Sequence, residues 1–320
     1  MDGLDQKLLS ELQIHGFQKS DTLAPSFGVG SRTIRRRLSA MKNKGLIKII
    51  AVPNPVLLGY RGWAKIGIKV APEATGNVTH ELIEHPSVYF VASSVGKFDF
   101  IIAVHFESIE RLTYFVNSEL SKVAGVISTE TMMLICPRKY YNFSWRAPAV
   151  NTSNGREDYQ RTASSHSYKL DEIDFKIIDA LRQDGLARPA ELKSRLGISE
   201  STVRKRVKEM QKHGVFKIEV APNPRTLEYE VWATIGIVMT NRSAHEVIDA
   251  IVNNPAVYLA SVSVGRFNII IAARFHNIDL LSQFVNVELT RIPGVVAVET
   301  FLHTKPLKYH NVKWLLPSNK

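Results

Sequence analysis

Cysteine is almost absent from this sequence, since Cys136 is the one thiol among 320 residues. A lone thiol excludes an internal disulfide and any metal site made of several cysteines. The ten histidines follow no recognised metal-ligand spacing, so the sequence predicts no metal site and no cofactor. The fold must then be held by packing, and a content of 45% hydrophobic and 22% charged residues is typical of a globular protein.

Long hydrophobic runs and catalytic motifs are absent as well. No apolar stretch approaches the roughly 20 residues that span a bilayer, and residues 1–10 lack the basic start and apolar core of a signal peptide, so we expect a cytoplasmic protein. The segment FGVG at 27–30 lacks the Lys-Ser/Thr of a phosphate loop, and no nucleophile elbow or zinc-protease motif occurs. We therefore assign no catalytic residue and expect a protein that is not an enzyme.

Acidic residues are missing from one short segment. Residues 29–48 contain seven Lys or Arg and no Asp or Glu, and residues 198–217 contain six basic against two acidic residues. The intervening residues 51–150 carry nine basic against eight acidic residues, so much of the net charge of +11 is concentrated in two places. A focused excess of positive charge favours a polyanion as the partner.

The chain is a tandem duplication. At an offset of 169, residues 4–145 align with residues 173–314 without a gap, and about a third of the positions are identical. WAKIGI at 63–68 becomes WATIGI at 232–237, for example. Such a match over this length indicates two complete copies of one unit.

Each copy divides near its PNP segment, with helical patterns upstream and a strand, helix, strand, strand, helix, strand order downstream. The sequence therefore predicts an α+β protein with two winged helix-turn-helix domains and two ferredoxin-like βαββαβ domains in tandem. The predicted segments are a first DNA-binding domain at 1–50, a first effector domain at 51–146, a polar linker at 147–168, a second DNA-binding domain at 169–219 and a second effector domain at 220–320.

The third helix of each copy has one apolar and one cationic face. Ile34, Leu38 and Met41 form an apolar stripe at helical spacing, and the arginines of SRTIRRRL point mainly away from it. Arg37 flanks the stripe, which favours a structural role or a phosphate contact. Taken alone, a basic run is more commonly a solvated helix face.

The surroundings of these helices favour DNA. Three short helices, a tight turn between the second and third, and a following β-hairpin make a winged helix-turn-helix, whose last helix enters the major groove. Arginine can form paired hydrogen bonds with guanine, and Ser or Thr can bind phosphates or base edges. The candidate DNA-binding residues are Ser31, Arg32, Thr33, Arg35, Arg36, Ser39, Ser201, Thr202, Arg204, Lys205 and Lys208.

Each half of the chain resembles a complete member of the Lrp/AsnC family of prokaryotic transcription regulators. The motifs that carry the resemblance are LDQKLLSELQIHG, LGISESTVRKRVKEMQKHGVFKI and SVGKFDFIIAV. The resemblance implies DNA binding by the first domain of each copy. It also implies sensing of a small molecule, commonly an amino acid, and self-association through the effector domains by sheet-to-sheet packing.

A turn in each effector domain is the expected ligand site. The resemblance implies as effector-binding residues Ser94, Gly96, Asp99, Ser263, Gly265 and Asn268. Asp99 could pair with a ligand ammonium, and Asn268 at the equivalent position has lost that carboxylate. The alternative is that both glycines are hairpin-turn residues and that Asp99 is a turn residue.

Two further functions remain open. Siroheme decarboxylases resemble this family in fold and can occur as fused pairs, but the segments VYFVASSV and VYLASVSV lack the His-Cys-Tyr type cluster that those enzymes typically carry. An architectural protein that bends DNA and senses nothing would carry the same basic faces.

Overall fold

The computed structural model describes residues 2–54, 57–140, 143–144, 168–224, 229–240, 244–304, 306–309 and 312–313. The predicted linker at 147–168 lies outside the described residues except for Tyr168. The chain forms two compact units. Met1–Leu58 and Val150–Thr226 make the helical unit, whereas Gly59–Ala149 and Leu227–Lys320 make the sheet unit, so each unit contains a part of both copies.

The first copy follows the predicted order of elements. These are α1 (Gly3–His15), α2 (Ser20–Phe27), α3 (Ser31–Asn43), β1 (Ile47–Pro53), β2 (Gly62–Val70), α4 (Thr75–Glu84), β3 (Val88–Ser93), β4 (Phe100–Phe106), α5 (Ile109–Tyr114), β5 (Val126–Tyr140) and β6 (Phe143–Ser144). A π-helical turn, Phe115–Glu119, extends α5.

The second copy repeats this order. Its elements are α6 (Glu172–Gln183), α7 (Pro189–Leu196), α8 (Glu200–Lys212), β7 (Phe216–Pro222), β8 (Val231–Met239), α9 (Ala244–Ile251), β9 (Val257–Val264), β10 (Ile269–Phe275), α10 (Ile278–Gln283), β11 (Val295–His303), β12 (Lys308–Tyr309) and β13 (Val312–Lys313). The predicted α+β class, with two helix-turn-helix segments and two βαββαβ segments, is confirmed.

Aspartates begin the first helix of each copy in the helical unit. The carboxylate of Asp2 accepts hydrogen bonds from the backbone of Leu4 and Asp5, and Asp171 caps α6 in the same way. These caps satisfy amide groups that a helix start leaves free. They also place two carboxylates beside the third helix of each copy.

The expected β-hairpin within each DNA-binding domain is wrong. Strand β1 pairs antiparallel with β7 of the other copy, with Ile49 opposite Val220. The first helix of each copy packs against the strand of the other, and Gly185 N–H donates to Ile49 C=O at 2.8 Å. Ala51 of the first copy lies in the core of the second. The two helix-turn-helix segments therefore share one two-stranded ribbon and one fold.

The pairing of β1 with β7 also affects the predicted domain boundaries. The boundaries at 50/51 and 219/220 fall inside β1 and β7. Both strands belong to the helical unit, which reaches Leu58 in the first copy and Thr226 in the second.

The sheet unit contains two four-stranded antiparallel lobes. Lobe 1 has the strand order β5-β2-β4-β3, and lobe 2 has the order β11-β8-β10-β9. Strand β5 pairs with β9, and β3 pairs with β12, with a further bridge between Ser94 and His303. Each lobe thus pairs with the other along part of its sheet edges: β5 from Met133 onward lies beside β9, and β3 lies beside β12. Such pairing shortens the edges on which sheets aggregate.

Helices cover one face of each lobe. In lobe 1, β2 presents Ala64, Ile66 and Ile68 to α4 and α5, and an equivalent cluster fills lobe 2. Because side chains alternate along a strand, the intervening residues of β2, among them Trp63 and Lys65, point to the opposite face. That face is also buried, since both side chains are at most 3% exposed.

Candidate nucleic-acid interface and effector turn

Helix α3 presents the predicted basic face to solvent. It follows a tight turn in which Gly28 adopts a left-handed conformation with φ of +63°. Ile34, Leu38 and Met41 are buried, as the spacing predicts. Arg32, Arg35, Arg36 and Ser39 are exposed, and Ser31 and Thr33 at the helix start are half-buried. Among the described residues, Arg35 and Arg36 have no ion-pair partner, so their guanidinium groups are available to phosphates and base edges.

Helix α8 presents a similar but not identical face. Ser201, Arg204, Lys205 and Lys208 are exposed and Thr202 is half-buried. The hydroxyl of Ser199 caps the helix by accepting a hydrogen bond from Thr202 N–H. Glu200 forms an ion pair with Arg204, and its equivalent in α3 is Ser31. The second helix is therefore less positive at its start than the first.

Arg37 forms ion pairs within the helical unit and is only partly exposed. Its guanidinium contacts Asp2 at 2.7 Å and Asp5 at 2.8 Å, and these hydrogen bonds raise its pKa. The equivalent Arg206 contacts Asp171 at 2.7 Å and Asp174 at 3.0 Å. Each arginine thus ties the third helix to the start of the first, and the structural role is favoured over a phosphate contact.

These two matched ion-pair groups differ in burial. Asp174 is 1% exposed, whereas Asp5 is 18% exposed. Removal of one partner of a buried pair is strongly destabilising because it leaves a charge without compensation. We expect Arg206→Ala to lower the unfolding midpoint of the helical unit by about 10 °C, and Arg37→Ala to have less than half that effect. Thermal unfolding of both variants measures this, and equal shifts would contradict it.

The predicted effector turn joins β3 to β4. Gly96 has φ of +103° and Gly265 has φ of +116°, values that favour glycine and fit a hairpin-turn role. Ser94 N–H donates to Asp99 C=O at 2.7 Å, and the Ser94 hydroxyl donates to Leu302 C=O of the other lobe. Ser263 N–H likewise donates to Asn268 C=O at 2.8 Å. The structure therefore brings the six candidate residues into two equivalent turns.

Asp99 has protein partners on both carboxylate oxygens. One accepts a hydrogen bond from Val70 N–H at 2.8 Å, and the other accepts from Lys69 Nζ at 2.9 Å. Burial alone would raise its pKa, but these two donors hold the pKa of Asp99 below its usual value. A ligand ammonium would have to take the place of the Lys69 ammonium.

The equivalent Asn268 keeps only half of this arrangement. Its side-chain oxygen accepts from Met239 N–H at 2.7 Å, which corresponds to the Val70 contact. Lys69 is replaced by Val238 in the second copy. The uncharged amide of Asn268 thus makes the same hydrogen bond to the backbone as the carboxylate of Asp99.

Two equivalent aromatic clusters escaped the sequence analysis. In lobe 1 the His105 ring stacks between Tyr60 and Tyr89, with centroid distances of 4.3 Å and 4.7 Å, next to Trp63 and Tyr140. In lobe 2 the equivalent Arg274 lies 4.6 Å from the centre of the Tyr229 ring, beside Trp232, Tyr258 and Tyr309. Burial raises the pKa of Tyr89 and of Tyr258 well above the usual value. The repeat offset of 169 could have paired these positions, but it does not show that they are in contact.

Lys65 is the most unusual buried residue of the sheet unit. It is 1% exposed, and burial lowers its pKa to about 7. Its Nζ donates to the Thr234 hydroxyl at 3.0 Å and lies 4.5 Å from the centre of the Phe90 ring. The sequence signal was a single lysine within the apolar run GWAKIGI.

Membrane-spanning helices and clusters of metal ligands are both absent from the described residues. None of the helices described is long and apolar enough to cross a membrane. Within the same residues, no group of three or more His, Cys, Asp or Glu side chains is placed to hold a metal ion.

Comparison with known protein families agrees with this geometry. The profile for winged helix-turn-helix DNA-binding matches residues 170–217, and the profile for the Lrp/AsnC ligand binding domain matches residues 64–142 and 233–312. The second profile therefore occurs twice, as a tandem duplication requires.

Individual relatives match one copy at a time. An uncharacterised HTH-type transcriptional regulator of Pyrococcus furiosus is 32% identical over 141 residues, which cover 44% of this chain and 95% of that protein. The regulatory protein AsnC of Haemophilus influenzae is 27% identical over 137 residues, which cover 42% of this chain and 91% of that protein.

Two solved structures of one enzyme match nearly the whole chain. The siroheme decarboxylase NirDL in complex with an iron-uroporphyrin III analogue aligns with a TM-score of 0.62 and 14% identity, over 97% of this chain and 94% of that chain. NirDL alone aligns with a TM-score of 0.60 and 16% identity. At these identities the likeness concerns the fold alone.

Proposed function

Since the chain belongs to the Lrp/AsnC family of helix-turn-helix transcription regulators, we propose that it binds specific DNA through α3 and α8 and that a small ligand modulates this binding. The observation that carries the proposal is the pair of exposed cationic helix faces, each following a helix-turn-helix turn. The proposed contacting residues are those predicted from the sequence, which are Ser31, Arg32, Thr33, Arg35, Arg36, Ser39, Ser201, Thr202, Arg204, Lys205 and Lys208.

The shared ribbon supports DNA reading by one chain. Strands β1 and β7 join the two helix-turn-helix segments, and Lys42 of the first contacts Asp184 of the second at 3.2 Å. A family member with one copy per chain needs two chains to bring two reading helices together. Here a single chain supplies both, and the two helices carry different side chains. We therefore propose an operator with two unlike half-sites.

The ligand proposal concerns the turn of lobe 1. Asp99 keeps a carboxylate that exchanges the Lys69 ammonium for the ammonium of an amino acid, whereas the turn of lobe 2 has the uncharged Asn268. The further association of chains through the effector lobes and the cytoplasmic location stay predictions.

Replacement of Asp99 by asparagine tests this proposal cleanly. The variant is expected to keep its fold, with an unfolding midpoint within about 3 °C of the parent, because Asn268 makes the same backbone contact in lobe 2. The response of DNA binding to amino acids is expected to be lost. A full response in Asp99→Asn would remove Asp99 from the ligand site, and Asn268→Ala serves as the control in the uncharged turn.

A second candidate is a siroheme decarboxylase-like enzyme. One observation favours it, the fold shared with NirDL over nearly the whole chain. The rings of Tyr60 and Tyr89 flank the buried His105, and of these three titratable groups only Tyr89 belongs to the segment VYFVASSV.

One preparation of the protein separates these functions. Specific DNA binding is measured with and without a panel of amino acids, and the same sample is examined for tetrapyrrole absorbance. A regulator binds a specific site and responds to a ligand, an architectural protein binds without a response, and a decarboxylase-like protein takes up tetrapyrrole. Absence of any specific DNA binding would refute the proposed function.

A further inference from the structure

The two lobes meet at an approximate two-fold axis that passes beside Lys65. Lys65 and Thr234 occupy equivalent positions, 169 residues apart, and Lys65 Nζ donates to Thr234 Oγ1 at 3.0 Å. In a symmetric pair, equivalent residues touch only at the axis. The axis position therefore holds a lysine in lobe 1 and a threonine in lobe 2, and both side chains are buried.

The surroundings of this axis accept one positive charge at most. Lys65 Nζ faces the Phe90 ring and the Thr234 hydroxyl, and the same hydroxyl lies 3.5 Å from Nε2 of His303. Burial first, and then the Lys65 charge, lower the pKa of His303 to about 3, so its imidazole is neutral. Among these described neighbours of Lys65 there is no carboxylate that could serve as the counter-charge of a second ammonium group.

A pair made of two copies of lobe 1, called here two first-kind lobes, would bring such a second ammonium group to the axis. Two copies of lobe 2 are correspondingly called second-kind lobes. A pair of two first-kind lobes would set Lys65 against another Lys65 in a dry environment, where repulsion between like charges is strong. A pair of two second-kind lobes would bring threonine to threonine, without a charge conflict at the axis. A different contact opposes that pair.

Arg138 and Asp249 form this second contact between the lobes. Their side chains meet at 2.6 Å. The equivalent of Arg138 is Leu307, and the equivalent of Asp249 is His80. Two first-kind lobes would set Arg138 against His80, and two second-kind lobes would set Leu307 against Asp249. The ion pair requires one lobe of each kind.

The helical unit repeats this asymmetry independently. Lys42 pairs with Asp184 across the two copies at 3.2 Å, and the equivalent positions 211 and 15 hold glutamine and histidine. Both units thus carry charged contacts that match only when a first-copy part meets a second-copy part.

We propose that the lobe interface selects its partner: a first-kind lobe accepts a second-kind lobe and rejects another first-kind lobe, with Lys65 as the specificity-determining residue. Specificity here comes from a penalty on the wrong pair, as it does in coiled coils with charged or polar core positions. The partner of each lobe is the opposite lobe of this chain, and identical lobes of two chains do not pair.

Thr234→Lys places two lysines at the axis of the full chain, as a pair of two first-kind lobes would. We expect it to lower the unfolding midpoint of the sheet unit by about 10 °C at pH 7, because a second lysine then has to fold either as an unpaired buried ammonium group or without its proton. The double variant Lys65→Thr/Thr234→Lys restores one lysine and one threonine. Its midpoint is expected to return to within about 3 °C of the parent.

A neutral side chain of similar length separates charge from size. Thr234→Met is expected to lower the midpoint by less than half as much as Thr234→Lys. The proposal is overturned if Thr234→Met is as unstable as Thr234→Lys, or if the double variant is no more stable than Thr234→Lys alone.

Discussion

Lys65→Met is expected to stabilise the protein by about 3 kcal/mol at pH 7 and by almost nothing at pH 10. The unfolded lysine has a pKa near 10.5, and burial lowers the folded value to about 7. Between these values the unfolded chain binds a proton that the folded chain does not, so the contribution of Lys65 to stability improves as pH rises from 7 to 10.5. Below pH 7 the penalty is constant.

Methionine removes this penalty because it has a similar length and no charge. Thr234 loses one hydrogen-bond partner, which offsets about 1 kcal/mol of the gain. The neighbouring His303 does not titrate in this range, because its pKa is about 3.

Urea unfolding of the parent and of Lys65→Met at pH 7 and pH 10 measures this effect, and the exposed Lys122→Met is the matched control. An equal effect of Lys65→Met at both pH values would show that the ammonium of Lys65 is not the source of the penalty. Lys65→Met is also expected to remove the partner selection that Lys65 provides. On this account Lys65 lowers the stability of the protein and raises the specificity of lobe pairing.

The double variant Arg35→Ala/Arg36→Ala is expected to weaken DNA binding about 100-fold at moderate salt. Both guanidinium groups are exposed on α3, and among the described residues they have no ion-pair partner. If both contact phosphates, each substitution lowers the slope of log affinity against log salt by about one unit, because each contact releases a condensed counterion.

The matching change in α8, Arg204→Ala/Lys205→Ala, is expected to have a smaller effect. Arg204 is partly neutralised by Glu200 in the free protein, so its removal changes the charge of that face less. Arg61→Ala in the sheet unit is the control, since Arg61 is exposed and lies outside the reading helices. An unchanged salt slope in Arg35→Ala/Arg36→Ala would exclude both residues from the contact set.

The apolar spacing of α3 and α8 made their buried faces predictable from the sequence. Ile34, Leu38 and Met41 recur at helical spacing, and burial of a helix face follows that spacing directly. The repeat at 169 then extended each conclusion to the second copy, and the order of elements indicated the ferredoxin-like lobes.

Strand pairing could not be predicted in the same way. The segment Ile47–Pro53 has the composition of a strand, but a strand pattern does not state which strand will lie beside it. The expected hairpin was wrong for this reason, and the true partner lies 169 positions further along the chain.

Contacts across the two lobes were hidden for a related reason. Lys65, Thr234 and His303 are distant in sequence, and none of them belongs to a recognised motif. The role of Arg37 was left open between alternatives, and its distances to Asp2 and Asp5 favour the structural one. The contacts of Asp99 with Val70 and Lys69 were equally hidden in the sequence, and its role in ligand binding stays a proposal.

Unbiased selection of binding sites from random duplex DNA tests the central claim most directly. The full chain is expected to recover a site with two unlike half-sites, because α3 and α8 present different side chains from one fold. Of the two arginines, Arg35 is matched by Arg204 in α8, whereas Arg36 is matched by Lys205. The variant Arg36→Lys therefore gives α3 the α8 side chains at both positions, and it is expected to alter one half-site only. Recovery of a perfect palindrome, or of no preferred sequence, would contradict the account.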